Sequence, residues 1–120
     1  FLKIRRENAK YFQKLFKNDK RFIIQKEIGK SSWFSFTMIV NPKSGISRNK
    51  VLQKLKKANI EYRIITGGCM LRHDVVKYFD YTYTKSTNAD IAHYNGFFVG
   101  NYPFDIKDKI DYLHKTLKDI

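Results

Sequence analysis

The residues best suited to chemistry lie together in the middle of the sequence, in the stretch EYRIITGGCMLRH. Arg63 stands in a β-rich run, the pair Gly67-Gly68 follows it, and Cys69, the only cysteine, is four residues before His73. A cysteine and a histidine could act as nucleophile and base, but the base must be oriented by a third group, and no neighbouring residue is suited to that. We therefore interpret Cys69 as a small apolar side chain. An enzyme that depends on Cys69 is the least favoured hypothesis.

The glycine pair fits neither of the phosphate-binding motifs, because a P-loop requires G-x-x-x-x-G-K-[ST] and a dinucleotide-binding turn requires three spaced glycines. Two interpretations stay open, a turn with positive φ or a close approach of the backbone to a ligand. Arg63 must emerge at a face or an edge of a sheet, and if partly buried it needs a carboxylate of the protein or a phosphate of a ligand. His73, His93 and His114 are too far apart in sequence to indicate a metal site.

The surrounding pattern predicts helices that alternate with strands. Helical spacing of apolar residues predicts a first helix over residues 1–17, a second capped by Ser47, short helical segments in HDVVKYF and NADIAHYN, and a last helix from a cap at Asp105 to Lys118. The strand candidates are SWFSFTMIV, EYRIIT and GFFVG, while RFIIQKEI is extended in character. We expect an α+β layer structure in which helices cover a small antiparallel or mixed sheet of about three strands.

Composition limits the possible partners. The 120 residues fit one domain, and 24 Lys and Arg against 11 Asp and Glu give a net charge of +13. Only six of the basic residues are arginines and the lysines are spread along the chain, so a free-standing module that binds nucleic acid or another polyanion is the alternative rather than the first hypothesis. No apolar run is long enough for a membrane span, and a single cysteine suits the reducing cytoplasm.

Two longer stretches taken in order, NPKSGISRNKVLQKLKKANIEYRIITGGCMLRH and NADIAHYNGFFVGNYPFDIKDKIDYL, resemble the C-terminal segment of the DegT/StrS family of pyridoxal-phosphate (PLP)-dependent nucleotide-sugar aminotransferases and dehydratases. The branch with perosamine synthases and 4-keto-6-deoxyhexose 3-dehydratases is the most similar. The resemblance covers residues 32–118, and residues 1–17 look like the helix that joins the large and small domains of the family. Because the chain begins with Phe1 inside a helix pattern, we expect a piece of a longer protein.

The resemblance implies the small domain of an aspartate-aminotransferase-type fold, C-terminal in its chain, that packs on a large PLP-binding domain in a homodimer. It implies a nucleotide-sugar substrate in polysaccharide biosynthesis, including lipopolysaccharide. The catalytic and cofactor-binding residues would lie in the large domain, with none in residues 1–120. The family's substrate-closing strand and loop correspond to Arg63, Thr66, Gly67, Gly68, Arg72 and His73. Two departures from the family pattern are Ile64, where relatives often have Pro, and Cys69, where they often have Asn.

Overall fold

Four antiparallel strands form one sheet in the computed structural model, which describes residues 1–120, and their order is β1-β2-β4-β3. The strands are β1 (Phe22–Ile24), β2 (Ser35–Val40), β3 (Arg63–Ile64) and β4 (Gly96–Gly100). The helices are α1 (Leu2–Phe16), α2 (Arg48–Lys57), α3 (Thr87–Asn95) and α4 (Lys107–Lys118). Three short 3-10 segments span Pro42–Ser44, Met70–Arg72 and Asp74–Tyr78. No helix has the length and apolar character needed to cross a membrane.

The core forms where one face of the sheet meets the helices. Alternate residues of β2 are buried, and Met38 pairs with Phe97 of β4 on the same face. The Phe12 ring of α1 stacks on Phe36 with centroids 4.5 Å apart. Because strand side chains alternate between the two faces of a sheet, one face of this sheet packs against the helices α1, α2 and α4. The α+β class and the small antiparallel sheet are confirmed.

Two buried asparagines join α1 to the segment that follows β4. The Asn8 amide donates to Asn101 Oδ1 at 3.1 Å and to the Phe104 carbonyl at 2.7 Å. Asn101 in turn donates to the carbonyls of Arg5 at 3.0 Å and Trp33 at 2.8 Å. A buried amide needs partners for its donors, so this network fixes where α1 lies against the end of the sheet.

The ends of α2 follow from local sequence. Ser47 Oγ accepts from the Lys50 amide at 3.2 Å, so the predicted cap is confirmed. At the other end Asn59 adopts φ 57°, and the Ile60 amide bonds the Leu55 carbonyl at 2.9 Å. This is a Schellman ending with asparagine in the left-handed position, and it turns the chain sharply toward β3.

The structure differs from the sequence prediction in three details. The sheet has four strands rather than three, because Phe22–Ile24 within RFIIQKEI pairs with β2. The short helical segment predicted in HDVVKYF is a 3-10 segment over residues 74–78. Asp105 does not cap α4, which begins one residue later than predicted with Ile106 at the cap position, although Asp105 Oδ1 still accepts from the Lys107 amide at 3.1 Å. Val75 and Val76 are β-branched, which lowers the helix propensity of residues 74–78.

Candidate functional site

A cleft of about 1050 Å³ opens beside β4. Its walls come from the chain between α2 and β3, the end of β4 with the residues that follow, the inner side of α4, and the start of α1. Small-molecule sites usually enclose roughly 300–1,000 Å³, so the cleft is large enough for a nucleotide-sized ligand. More than half of its lining residues are hydrophobic, and the polar ones stand at a few defined points.

The cleft exists because β3 is so short. Arg63 and Ile64 pair with Phe98 and Phe97, and the chain before Arg63 has no paired partner on β4. The Schellman turn at Asn59 carries residues 60–62 away from the sheet, so the edge of β4 at Val99 and Gly100 lines the opening. The predicted strand EYRIIT is thus shortened to two residues, and its missing part forms the wall of the cleft.

The structure places two of the six predicted substrate-binding residues at the cleft, Arg63 and Thr66. The side chain of Arg63 is 73% exposed, and its only ionic partner is Glu61, at 3.6 Å and itself 82% exposed. An exposed pair of this kind contributes little to stability. Arg63 therefore has the freedom to exchange Glu61 for an anionic ligand.

The other four predicted residues, Gly67, Gly68, Arg72 and His73, lie in a loop that packs on α3. Gly68 has φ +50°, and a Cβ there would lie 2.5 Å from His93 Nδ1, which explains why the position needs glycine. The same Nδ1 accepts from the Cys69 amide at 3.2 Å. Only Gly68 of the pair has positive φ, so the turn interpretation holds for that residue.

A two-point ion pair closes the loop against α3. Arg72 Nε and Nη2 donate to the two carboxylate oxygens of Asp90 at 3.0 and 3.1 Å. This hydrogen bonding lowers the pKa of Asp90 and raises that of Arg72 above its usual value. The ring of His73 bonds the Gly67 carbonyl at 2.6 Å. Arg72 and His73 are thus held by short hydrogen bonds within the protein, whereas Arg63 has only the exposed ion pair with Glu61 at 3.6 Å.

Cys69 is 4% exposed, as expected of a small apolar side chain. Its histidine neighbour is not His73, as the sequence spacing suggested, but His93, which binds the backbone of Cys69. No group of three or more metal-ligating side chains comes together anywhere in residues 1–120. Residues 67–73 are accordingly held against α3 by contacts within the protein, and we call this loop with its partners on α3 the clamp.

The contacts of three residues, Arg48 and the clamp residues Asp90 and His93, were not predicted from the sequence. Arg48 donates to the carbonyls of His93 at 2.9 Å and Gly96 at 3.1 Å, where α3 passes directly into β4. A Cβ on Gly96 would collide with the Ile65 side chain, so the loop packs tightly there as well. Asp90 and His93 lie three positions apart on α3, a spacing that places both side chains on one face of the helix. That spacing was the signal in the sequence that could have indicated them.

Comparisons with known proteins identify the family of this chain. The profile of the DegT/DnrJ/EryC1/StrS aminotransferase family matches residues 1–118. The chain belongs to this family. It is 43% identical over 120 residues to the GDP-4-keto-6-deoxy-D-mannose 3-dehydratase of Escherichia coli O55:H7, a match that covers 98% of this chain and 31% of that protein.

Two solved structures of such dehydratases superpose well. The E. coli enzyme with bound hydrated PLP gives a TM-score of 0.93 at 43% identity, covering 98% of this chain and 31% of the other. A mutant GDP-4-keto-6-deoxymannose-3-dehydratase with bound GDP-perosamine gives 0.92 at the same identity and coverage. This chain therefore spans a little less than a third of the length of these relatives.

The residues of the cleft do not fit PLP. PLP enzymes commonly hold the cofactor through a lysine imine and pair its pyridinium nitrogen with an Asp or Arg side chain. The lysine at the cleft, Lys109, is exposed, and the carboxylate, Glu61, lies beside Arg63. No chemical step of the cofactor is therefore assigned to residues 1–120.

Proposed function

We propose that this chain is the substrate-closing small domain of a PLP-dependent enzyme that acts on a nucleotide-linked keto-deoxy sugar, with the cofactor held by a large domain outside residues 1–120. The observation that carries the proposal is Arg63, an exposed arginine with only an exposed acidic neighbour, which lines a nucleotide-sized cleft. Family membership and the GDP-sugar dehydratases among the relatives support it. Cytoplasmic location, a role in polysaccharide biosynthesis and assembly as a homodimer belong to the same proposal.

Within this proposal Arg63 and Thr66 contact the ligand directly. Arg63 offers a planar set of donors that suits a phosphate or a base edge, and Thr66 adds a hydroxyl at the same wall. Gly67, Gly68, Arg72 and His73 act through the clamped loop. The loop bonds α3 at several points, so closure over the substrate would move the loop together with α3 rather than as a free lid.

We favour removal of the C3 hydroxyl over amination because the relatives at 43% and 40% identity are both 3-dehydratases. The residues that choose between these reactions lie in the proposed large domain. Incubation of the full-length protein with a GDP-linked 4-keto-6-deoxyhexose, PLP and glutamate as the amino donor distinguishes the two reactions. Loss of the C3 hydroxyl supports the proposal, and a stable amine at the keto carbon overturns the preference for dehydration.

The binding role is tested by titrating GDP into the full-length protein. Arg63→Gln should weaken GDP binding about tenfold or more, because a hydrogen bond to a charged group contributes roughly 1.5–3 kcal/mol. Lys56→Gln removes one charge from an exposed position outside the cleft and should leave GDP affinity within about twofold. Equal affinity of the wild type and Arg63→Gln contradicts the role of Arg63.

We also propose that residues 1–17 link this domain to the large one and that the domain is the C-terminal third of its chain. The order of the motifs and the matched share of the relatives, 31%, support a domain of a longer chain. The reading frame on both sides of residues 1–120 tests the position. A long frame before Phe1 agrees with it, and a long frame after Ile120 instead places the domain at the other end.

A further inference from the structure

Arg5 differs from every other arginine of the chain in having no polar partner for its side chain. Arg6 bonds the Ser31 carbonyl at 2.9 Å, Arg21 is paired with Asp19, and Arg48 bonds two carbonyls of the α3–β4 junction. Arg63 and Arg72 are paired with acidic residues, Glu61 and Asp90. The Arg5 Nε atom is buried and has no hydrogen-bond partner among the atoms of the chain.

This orphaned donor is unusual because buried polar groups of proteins are almost always hydrogen-bonded. Arg5 as a whole is half-buried, so the cost falls on Nε, and a guanidinium keeps its charge at any physiological pH and cannot avoid that cost by deprotonation. An arginine held in such a position suits a partner that arrives from outside the described residues.

The surroundings of Arg5 show where that partner would come from. Arg5 lines the cleft, and its Cζ lies 6.0 Å from the centroid of the Phe34 ring, which lines the cleft too. The Arg5 carbonyl is fixed by the amide of the buried Asn101 at 3.0 Å. The backbone of Arg5 is thus anchored while its head group has only an aromatic neighbour.

The charge of the cleft selects the kind of partner. Three cationic side chains line it, from Arg5, Arg63 and Lys109, against the single carboxylate of Glu61. Such an excess favours a ligand with more than one negative charge. The planar fork of an arginine matches two oxygens of a phosphate group.

We propose that Arg5 binds the diphosphate of the nucleotide sugar in the cleft, which Arg63 and Thr66 also line. This inference rests on the proposed function. It adds a ligand-binding residue from α1, a helix that the sequence interpretation treated only as a connection between domains. The competing partner is a carboxylate of the large domain, which would make Arg5 an interdomain contact.

The test uses the full-length protein and measures the dissociation constants of GDP and of guanosine by calorimetry or competition. Arg5→Gln should weaken GDP binding by about tenfold to a hundredfold and leave guanosine binding within about twofold. Arg5→Lys should lie between the wild type and Arg5→Gln, since it keeps the charge without the fork. Arg6→Gln is the matched control on the same helix and should bind GDP like the wild type.

Each other outcome overturns the proposal in a recognisable way. Unchanged GDP affinity in Arg5→Gln, with a lower melting temperature of the ligand-free protein, assigns Arg5 to an interdomain ion pair instead. Equal losses for GDP and guanosine exclude a phosphate-specific role. A wild-type protein that binds no GDP rejects the proposed function itself, and the Arg5 proposal with it, whereas wild-type binding with an unaffected Arg5→Gln rejects only the latter.

Discussion

His93 Nδ1 accepts a hydrogen bond from the Cys69 backbone amide at 3.2 Å, and its ring occupies the space where a side chain on residue 68 would lie. His93 therefore holds the backbone at Cys69 and requires glycine at position 68, in the loop between β3 and α3. The loop follows directly on Thr66, which lines the cleft, so the contact with His93 lies next to the cleft in sequence.

Removal of the His93 acceptor should destabilise the protein. His93→Leu leaves the Cys69 amide without a partner in a partly buried place, which costs about 1–3 kcal/mol of unfolding free energy. His93→Asn retains an acceptor oxygen near the position of Nδ1 and should recover part of the loss. Urea unfolding with hydrogen exchange at the Cys69 amide measures both effects. Identical stability of His93→Leu and the wild type would show that the hydrogen bond has no energetic role.

Gly68→Ala should be far more damaging than Gly67→Ala. Residue 68 has φ +50°, and a Cβ there meets His93 at 2.5 Å, so the substitution adds backbone strain to a steric clash. Such strain costs of order 1–3 kcal/mol. Gly67 has open space for a Cβ, so Gly67→Ala is the matched control, with an expected change within about 0.5 kcal/mol. Thermal unfolding of the pair compares them, and equal melting temperatures would contradict the clamp geometry.

The sequence was informative where the deciding interactions are local. The Ser47 cap and the alternation of β2 depend on residues within a few positions of each other, and both were predictable. His93 and Cys69 are 24 positions apart, and their contact depends on how α3 packs against the loop. The role of Arg5 was hidden for a related reason. Whether an arginine lacks a partner can be judged only when the partners of all the others are known.

Site prediction illustrates the same limit. The family resemblance led to Arg63 and to the loop, but it could not separate Arg63 and Thr66, which line the cleft, from Arg72, which is paired with Asp90. The separation depends on the early end of β3 and on the turn at Asn59. The early end of β3 is a tertiary outcome, since the run EYRIIT has the propensity for a longer strand.

Asn8→Ala should destabilise the protein strongly, because Asn8 is 1% exposed and its amide serves three acceptors. The truncation leaves the buried Asn101 Oδ1 and the partly buried carbonyls of Tyr102 and Phe104 without that donor, at about 1–3 kcal/mol in unfolding free energy. Asn88→Ala, at an exposed position of α3, is the control and should change little. Urea unfolding curves decide the matter. A loss in Asn8→Ala no larger than in Asn88→Ala would mean that the network adjusts at no cost.

Acid should destabilise the protein partly through Asp19. Its carboxylate accepts from Arg21 Nη2 at 2.6 Å and from Arg21 Nε at 2.9 Å, and these bonds lower the pKa of Asp19 below its ordinary value of 3.8. A lowered pKa in the folded state means that the unfolded chain binds the proton more readily. The contribution is therefore fully present above the ordinary value and is lost as pH falls through the folded one.

Asp19→Asn should accordingly lower stability at neutral pH and reduce the further loss between about pH 5 and pH 2. Asp80→Asn makes the same change of charge at an exposed residue without an ion pair, so its pH profile should run parallel to that of the wild type. Melting temperatures recorded across this range compare the three proteins. Because Arg21 also donates to the Leu117 carbonyl at 2.7 Å, loss of the pair should loosen the end of α4, with faster hydrogen exchange there in Asp19→Asn. Parallel profiles for all three proteins would exclude Asp19 as a source of acid sensitivity.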